Sequence, residues 1–108
     1  MIHIRAKREN GIFNKSRGLI GKKTPGAIFL TTRFGIHTFF LSFPIDVIVL
    51  NDQHIVVALK ESLLPNRIFI WNPKYSHVLE LPNGEIKRNK LKIGQKIQIS
   101  DYSEGVSP

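Results

Sequence analysis

The chain alternates between short apolar runs and turn residues over most of its length, and this pattern reads as a succession of β-strands. In Met1–Lys7, Ile2 and Ile4 fall on one side and His3 and Arg5 on the other, which predicts a half-buried edge strand. Ala27–Thr32 reads as the next strand. The most apolar stretch, Gly35–Leu50, predicts two successive buried strands, Ile36–Phe43 and Asp46–Leu50, broken at Pro44, which has no N–H to give a sheet. In the first of these both alternating sides carry large apolar groups, so it is expected to be covered on both faces. Val47–Leu50 and Ile55–Leu59 flank Asn51-Asp52-Gln53-His54 as a hairpin. Strands follow at Arg67–Trp71 and Ser76–Leu81, and a last one at Gln95–Ser100 with Ile97 and Ile99 inward.

Two short helices interrupt this pattern. Asn14 can cap one that ends at Gly21, and Glu85–Lys90 suits another, with its acidic residue in the first turn. The final DYSEGVSP has no periodicity and reads as a tail, leaving residues 1–100 as a single β domain. About eight short strands with turns between them predict a mainly β fold, a compact antiparallel jelly-roll or barrel-like domain with two short helices.

Composition narrows the function classes. The chain has 108 residues, room for one core only. It contains no Cys, which excludes disulfides, thiol nucleophiles and thiolate metal sites. Its first residues hold no apolar stretch of signal-peptide length, and the longest apolar run falls short of the ~20 residues that span a bilayer. A cytoplasmic protein without a membrane span is therefore expected.

The net charge of +8 points to anionic partners: nucleic acid, acidic lipid or a phosphorylated ligand. The charge sits at the two ends, in Arg5, Lys7, Arg8, Lys15, Arg17, Lys22 and Lys23, and again in Lys87, Arg88, Lys90, Lys92 and Lys96. A nucleic-acid module would use Lys7, Arg8, Lys22, Lys23, Lys87, Arg88 and Lys90, with aromatics as stacking platforms. However, Phe34, Phe39, Phe40, Phe43 and Phe69 lie in apolar stretches away from the lysines and read as core, whereas Trp71 and Tyr75 read as surface. The plain alternative is a solvated basic face.

Four pieces in register resemble the family catalogued as domain of unknown function 192. They are Arg17-Gly18-Leu19-Ile20-Gly21, Ile36-His37-Thr38-Phe39-Phe40-Leu41, Pro44-Ile45-Asp46 with Val47–Leu50, and Val78-Leu79-Glu80-Leu81-Pro82 with Gly84 and Gly94. Leu41 stands where the family usually has Met, a volume-conserving change. The resemblance implies a compact, mainly antiparallel β domain with two short helices. It carries over no activity, ligand or cofactor.

Arg17, His37, Thr38, Asp46 and Glu80 are the polar residues inside these apolar segments. Buried ionised groups are costly unless paired. One reading is structural: Asp46 accepts N–H groups at the Pro44 corner and Glu80 bonds Arg17. The other is a shared polar cleft for a small or anionic ligand, with Arg17 on the anionic group and His37 exchanging a proton. The four histidines show no ligand spacing, so no metal or other cofactor is expected. A hydrolase using Asp46 and Glu80 as a carboxylate pair is the remaining alternative. No nucleophile elbow, phosphate loop or dinucleotide fingerprint is present.

Overall fold

The β-branched runs Ile45–Leu50 and Val56–Leu63 form the hairpin that the Asn51-Asp52 turn predicts, and the rest of the main sheet is laid against it. Asn51 Oδ1 accepts the N–H groups of Gln53 and Ile55 at 2.9 and 3.0 Å, an Asx-type closure of the turn. The computed structural model describes residues 2–9, 26–39 and 41–101. In chain order it contains β1 (Ile2–Glu9), β2 (Ala27–Thr31), β3 (Gly35–His37), β4 (Ile45–Leu50), β5 (Val56–Leu63), β6 (Ile68–Ile70), β7 (His77–Pro82), helix α1 (Glu85–Arg88) and β8 (Ile97–Asp101).

Six strands make one sheet in the order β5-β4-β7-β2-β1-β8. Its two ends approach each other at one point. Lys96 bridges Ile55, the Val56 N–H donates to Gln95 O at 2.9 Å, and the Ile97 N–H donates to His54 O at 2.9 Å. The sheet is thereby curled into a half-barrel. Side-chain alternation sorts its residues. Ala6, Phe29, Ile48, Leu50, Val56, Leu79, Leu81 and Ile97 form the inner cluster, and Ile86 of α1 and Leu91 pack into it. Ile28, Leu30, Ile45, Val47 and Val78 face outward, where Ile36, Leu41 and Leu63 cover them with Phe43, Phe69 and Trp71 at the margin. β4 is thus buried along its whole length, which is why it is apolar at every position but Asp46.

The second, small sheet is a ribbon of β3 and β6, paired Gly35↔Ile70, Ile36↔Phe69 and His37↔Ile68. Gly35 lets the two strands meet. A Cβ there would lie 2.6 Å from Phe69 O and 2.9 Å from Ile70 Cγ2, closer than any side chain can sit.

A mainly β, barrel-like single domain is what the chain forms, but several expectations need correcting. The predicted strand Ile36–Phe43 stops at His37. At Thr38 the backbone turns away to bond the 64–67 loop: Thr38 N–H donates to Arg67 O at 2.9 Å, and Leu41 N–H reaches back to Thr38 O. The break therefore comes six residues before Pro44, and covering on both faces does not apply. β1 is not an edge strand. It lies between β2 and β8, parallel to both, so neither of its edges is open; Arg5 and Lys7 alternate with the inward Ile4 and Ala6 and leave on the outer face. These two parallel pairs stand beside antiparallel pairs everywhere else in the described sheets.

The helix at Glu85–Lys90 ends at Arg88. The expected helix at Asn14–Gly21 and the tail beyond Asp101 lie outside the described residues, as does Phe40. Phe34 and Phe39 are exposed and not core, whereas Trp71 is half-buried, its indole N–H donating to Tyr75 O at 2.8 Å.

Candidate functional site

Asp46 is fully buried on the inner side of β4. Its Oδ1 accepts the Ser62 N–H at 2.9 Å, and its Oδ2 accepts the N–H groups of Gly84 at 3.1 Å and Ile86 at 2.9 Å. The carboxylate thus satisfies the start of α1 and an irregular point of β5 together. Ser62 and Gly84 both have positive φ, 53° and 95°, which aims their N–H groups inward. Glu80 is also buried, but it pairs in register with Val47 while Asp46 pairs with Leu81. Adjacent positions of a strand project oppositely, so the two carboxyl groups leave the sheet on opposite faces.

Thr38 is fully buried and spans the loop beside the ribbon. Its hydroxyl donates to Leu64 O at 2.6 Å and accepts the Arg67 N–H at 2.8 Å. His37 lies on the outward face of β3, its Nδ1 accepting the Phe39 N–H at 3.3 Å and its ring stacked on Phe39 with centroids 4.8 Å apart. Arg17 lies outside the described residues. Of the five candidates, His37, Thr38 and Glu80 share the outer side of the half-barrel, and Asp46 is inside it.

The basic residues divide similarly. Lys87 and Arg88 close the last turn of α1, where cations suit the helix dipole, and Arg88 Nη1 lies 2.8 Å from Glu85 Oε1. Lys90 is exposed just beyond. Lys7 and Arg8 leave β1 on opposite faces, and Lys22 and Lys23 lie outside the described residues.

A different group converges at the inner mouth of the half-barrel, where β4, β7, β2 and β1 end side by side. Phe29 is its floor. The His77 ring stacks on Phe29 at 5.8 Å, His54 meets it edge-on at 5.5 Å, and the Arg8 guanidinium lies 5.0 Å above its centroid. The two imidazoles are themselves 5.7 Å apart. His77 Nε2 lies 3.2 Å from the exposed Asp52 carboxylate, while its buried Nδ1 has no hydrogen-bond partner among the described residues. Beside His54 a cavity of about 320 Å³ is lined by Asp52, Gln53, Lys96, Ile97, Gln98 and Ile99. A larger one, about 410 Å³, opens at the other end of the sheet, between β1 and α1. Its acidic group, Glu85, is already bonded to Arg88 and Asn89, and its His3 to Ser100, so it presents less unspent polarity.

Burial holds the His54 imidazole below its ordinary 6.5. His77, Arg8 and Lys96 push it the same way, and Asp52 opposes them. The folded protein therefore keeps His54 neutral over a range in which the unfolded chain protonates it. That contribution to stability is present above about pH 6.5 and is lost as the pH falls from there through the lower native value. The urea midpoint is expected to fall between about pH 7 and pH 5, and to fall less in His54→Asn. Asn suits the left-handed backbone at this position, φ 63°. Identical pH profiles for the two proteins would remove His54 from this account.

His54 and His77 were not singled out by spacing in the sequence. Only the register Leu50↔His77, with the turn that follows Leu50, brings them together. The Asn51-Asp52 turn signal marked the place but not its chemistry.

A family model, DUF192, described as "Uncharacterized ACR", matches residues 4–99. Two solved structures share the fold. A protein of unknown function from Novosphingobium aromaticivorans DSM 12444 superposes with a TM-score of 0.72 at 15% identity, over 84% of this chain and 71% of the other. A protein from Sinorhizobium meliloti 1021, described as "a putative transcription regulator", gives 0.74 at 16% identity, over 84% and 78%. No curated protein matches the chain.

Proposed function

The chain belongs to the DUF192 family, known only as uncharacterised, and from that premise we propose that it is a non-catalytic binding domain whose half-barrel mouth takes a small anionic ligand. The observation that carries this reading is the gathering of Arg8, His54 and His77 around the Phe29 ring, with Lys96 beside them. A carboxylate or phosphate there meets guanidinium, ammonium and imidazole donors in a partly desolvated corner, where charge-assisted hydrogen bonds are strongest. The buried Nδ1 of His77, without a hydrogen-bond partner among the described residues, adds polarity that this corner leaves unspent. The cavity that His54 and Lys96 line beside this cluster has a volume that suits a small molecule, and among the described residues no hydroxyl or thiol lines it.

An anion in the mouth reverses the electrostatic push on His54, so binding and protonation assist each other and affinity rises as the pH falls. The test is a titration with inorganic phosphate followed by the histidine ring resonances. Saturable shifts of His54 and His77 are expected, stronger at lower pH and largely lost in the double variant Arg8→Gln/Lys96→Gln. The absence of a saturable shift, or shifts unchanged in that variant, would overturn the proposal. So would a duplex that binds with a steep salt dependence through Lys87 and Lys90 while the mouth ignores phosphate, which is the outcome the nucleic-acid reading requires.

A further inference from the structure

We propose that the outward face of the β3–β6 ribbon docks this protein on an anionic lipid surface. The register supplies the first half of the argument. Ile36 and Phe69 face inward onto the outer cluster of the half-barrel, so Ile68 and Ile70, with His37 between the strands' ends, face away from it. Ile68 is 64% exposed and Ile70 70%. Around them stand Phe34 (68%), Leu64 (49%) and Phe39 (38%). Phe39 is held by its stack on His37, and Phe34 by the Trp71 N–H that donates to its carbonyl at 3.1 Å. Exposed apolar side chains scattered singly are ordinary. Five large ones on and beside one short ribbon form a patch that asks for an apolar partner.

Charge supplies the second half. Residues 33–39 and 64–74, which build the ribbon and its flanks, contain Arg33, Arg67 and Lys74 and not one Asp or Glu. Arg33 is fixed at one end by its bond to Pro73 O at 3.0 Å, and Arg67 immediately precedes β6 at the other. Their bonds go to carbonyl oxygens, which orient a guanidinium without neutralising it. An apolar centre with cations at both ends matches a bilayer interface, where side chains enter the acyl boundary and cations meet phosphate headgroups. The whole-chain charge of +8 favours the same encounter. Single-stranded nucleic acid would exploit the cations and the two Phe rings. The most exposed residues of β6, Ile68 and Ile70, are aliphatic, however, and offer a base neither a stacking surface nor a hydrogen bond.

The experiment is co-sedimentation of the whole chain with vesicles of phosphatidylglycerol and phosphatidylcholine, against vesicles of phosphatidylcholine alone. Binding to the anionic vesicles is expected, weakening with salt, and little binding to the neutral ones. Trp71, the chain's one tryptophan, directly follows Ile70 and packs with Phe69 on the inward side of the ribbon, so any change of its emission on binding is expected to be small. The double variant Ile68→Ser/Ile70→Ser changes only exposed positions and is expected to keep the unfolding midpoint while the partition coefficient drops by about tenfold or more. Arg33→Gln/Arg67→Gln is expected to erase the preference for anionic lipid. Three results would each overturn the proposal: no binding to anionic vesicles at low salt; undiminished binding of the isoleucine variant, which would leave general electrostatics as the cause; or binding of a single-stranded oligonucleotide that needs Phe34 and Phe39 while vesicles are ignored. The phosphate titration of the half-barrel mouth is independent of these substitutions, so the two proposals fail separately.

Discussion

Asp46→Ala is expected to destabilise the protein by about 3–6 kcal/mol, a large share of the ~5–15 kcal/mol that holds a typical domain together. The carboxylate accepts three backbone N–H groups, from Ser62, Gly84 and Ile86, and lies in a position without solvent exposure. Alanine leaves the buried Ile86 N–H facing a void and takes the acceptor from the part-buried Ser62 and Gly84 N–H groups, and each unsatisfied buried donor costs roughly 1–3 kcal/mol. The damage is also topological. Gly84 and Ile86 begin α1, and Ile86 is the residue by which α1 enters the inner cluster. Ser62 belongs to β5, so one side chain ties a helix and a strand to the middle of the sheet. Asp46→Asn is expected to be intermediate, since the amide keeps one acceptor oxygen and turns an NH2 group toward a donor. Urea unfolding of the three proteins checks this. A loss below about 1 kcal/mol for the alanine variant would mean that the donors find other partners and that the carboxylate is not the tie described.

That tie was half legible in the sequence. An Asp inside Pro44-Ile45-Asp46-Val47-Ile48 has to be paired, and turn amides near Pro44 were the natural donors. The donors instead come from positions 16 and about 40 residues away, because the β4–β5 and β4–β7 pairings bring Ser62 and Gly84 to the same point. Local pattern fixes which residues are buried far better than it fixes neighbours. It marked the hairpin at Asn51, the helix at Glu85 and the inward Ile97. It misplaced β1 because alternation reports one covered face and says nothing about whether both edges are hydrogen-bonded. It overran β3 because Ile36–Phe43 has a strand's composition, and the groups that end the strand belong to a loop about 30 residues later.

The candidate chemistry was less legible for the same reason. A lone His in the Asn51 turn and another at the start of a strand carry no joint signal at their spacing. Their meeting over Phe29 is a product of the order β4-β7-β2-β1, which depends on long-range pairing. The apolar ribbon face was hidden differently. Ile68-Phe69-Ile70 looks like any core strand, and only a two-stranded sheet lying outside the main one leaves alternate residues bare.

Thr38→Val is expected to cost about 2–4 kcal/mol although it preserves the shape of the side chain, while Thr38→Ser keeps most of the stability. The hydroxyl is donor to Leu64 O and acceptor from the Arg67 N–H, and the backbone of Thr38 adds bonds to Arg67 O and from the Asn66 N–H. One residue thereby sets the path of the 64–67 loop, and that path sets the register in which β6 meets β3. Valine removes both hydroxyl bonds and offers a methyl to two backbone groups that cannot leave. The effect should appear first as faster hydrogen exchange at Asn66 and Arg67, and then as a lower unfolding midpoint. Serine supplies the same oxygen with one methyl fewer, so a rescue by Ser identifies the hydroxyl and not the packing as the cause. If valine instead left stability within about 0.5 kcal/mol of the parent, the loop would be held by its backbone bonds alone. The buried Thr38 hydroxyl would then have no structural account, and a role toward a ligand would become the better explanation of a polar group in so apolar a place.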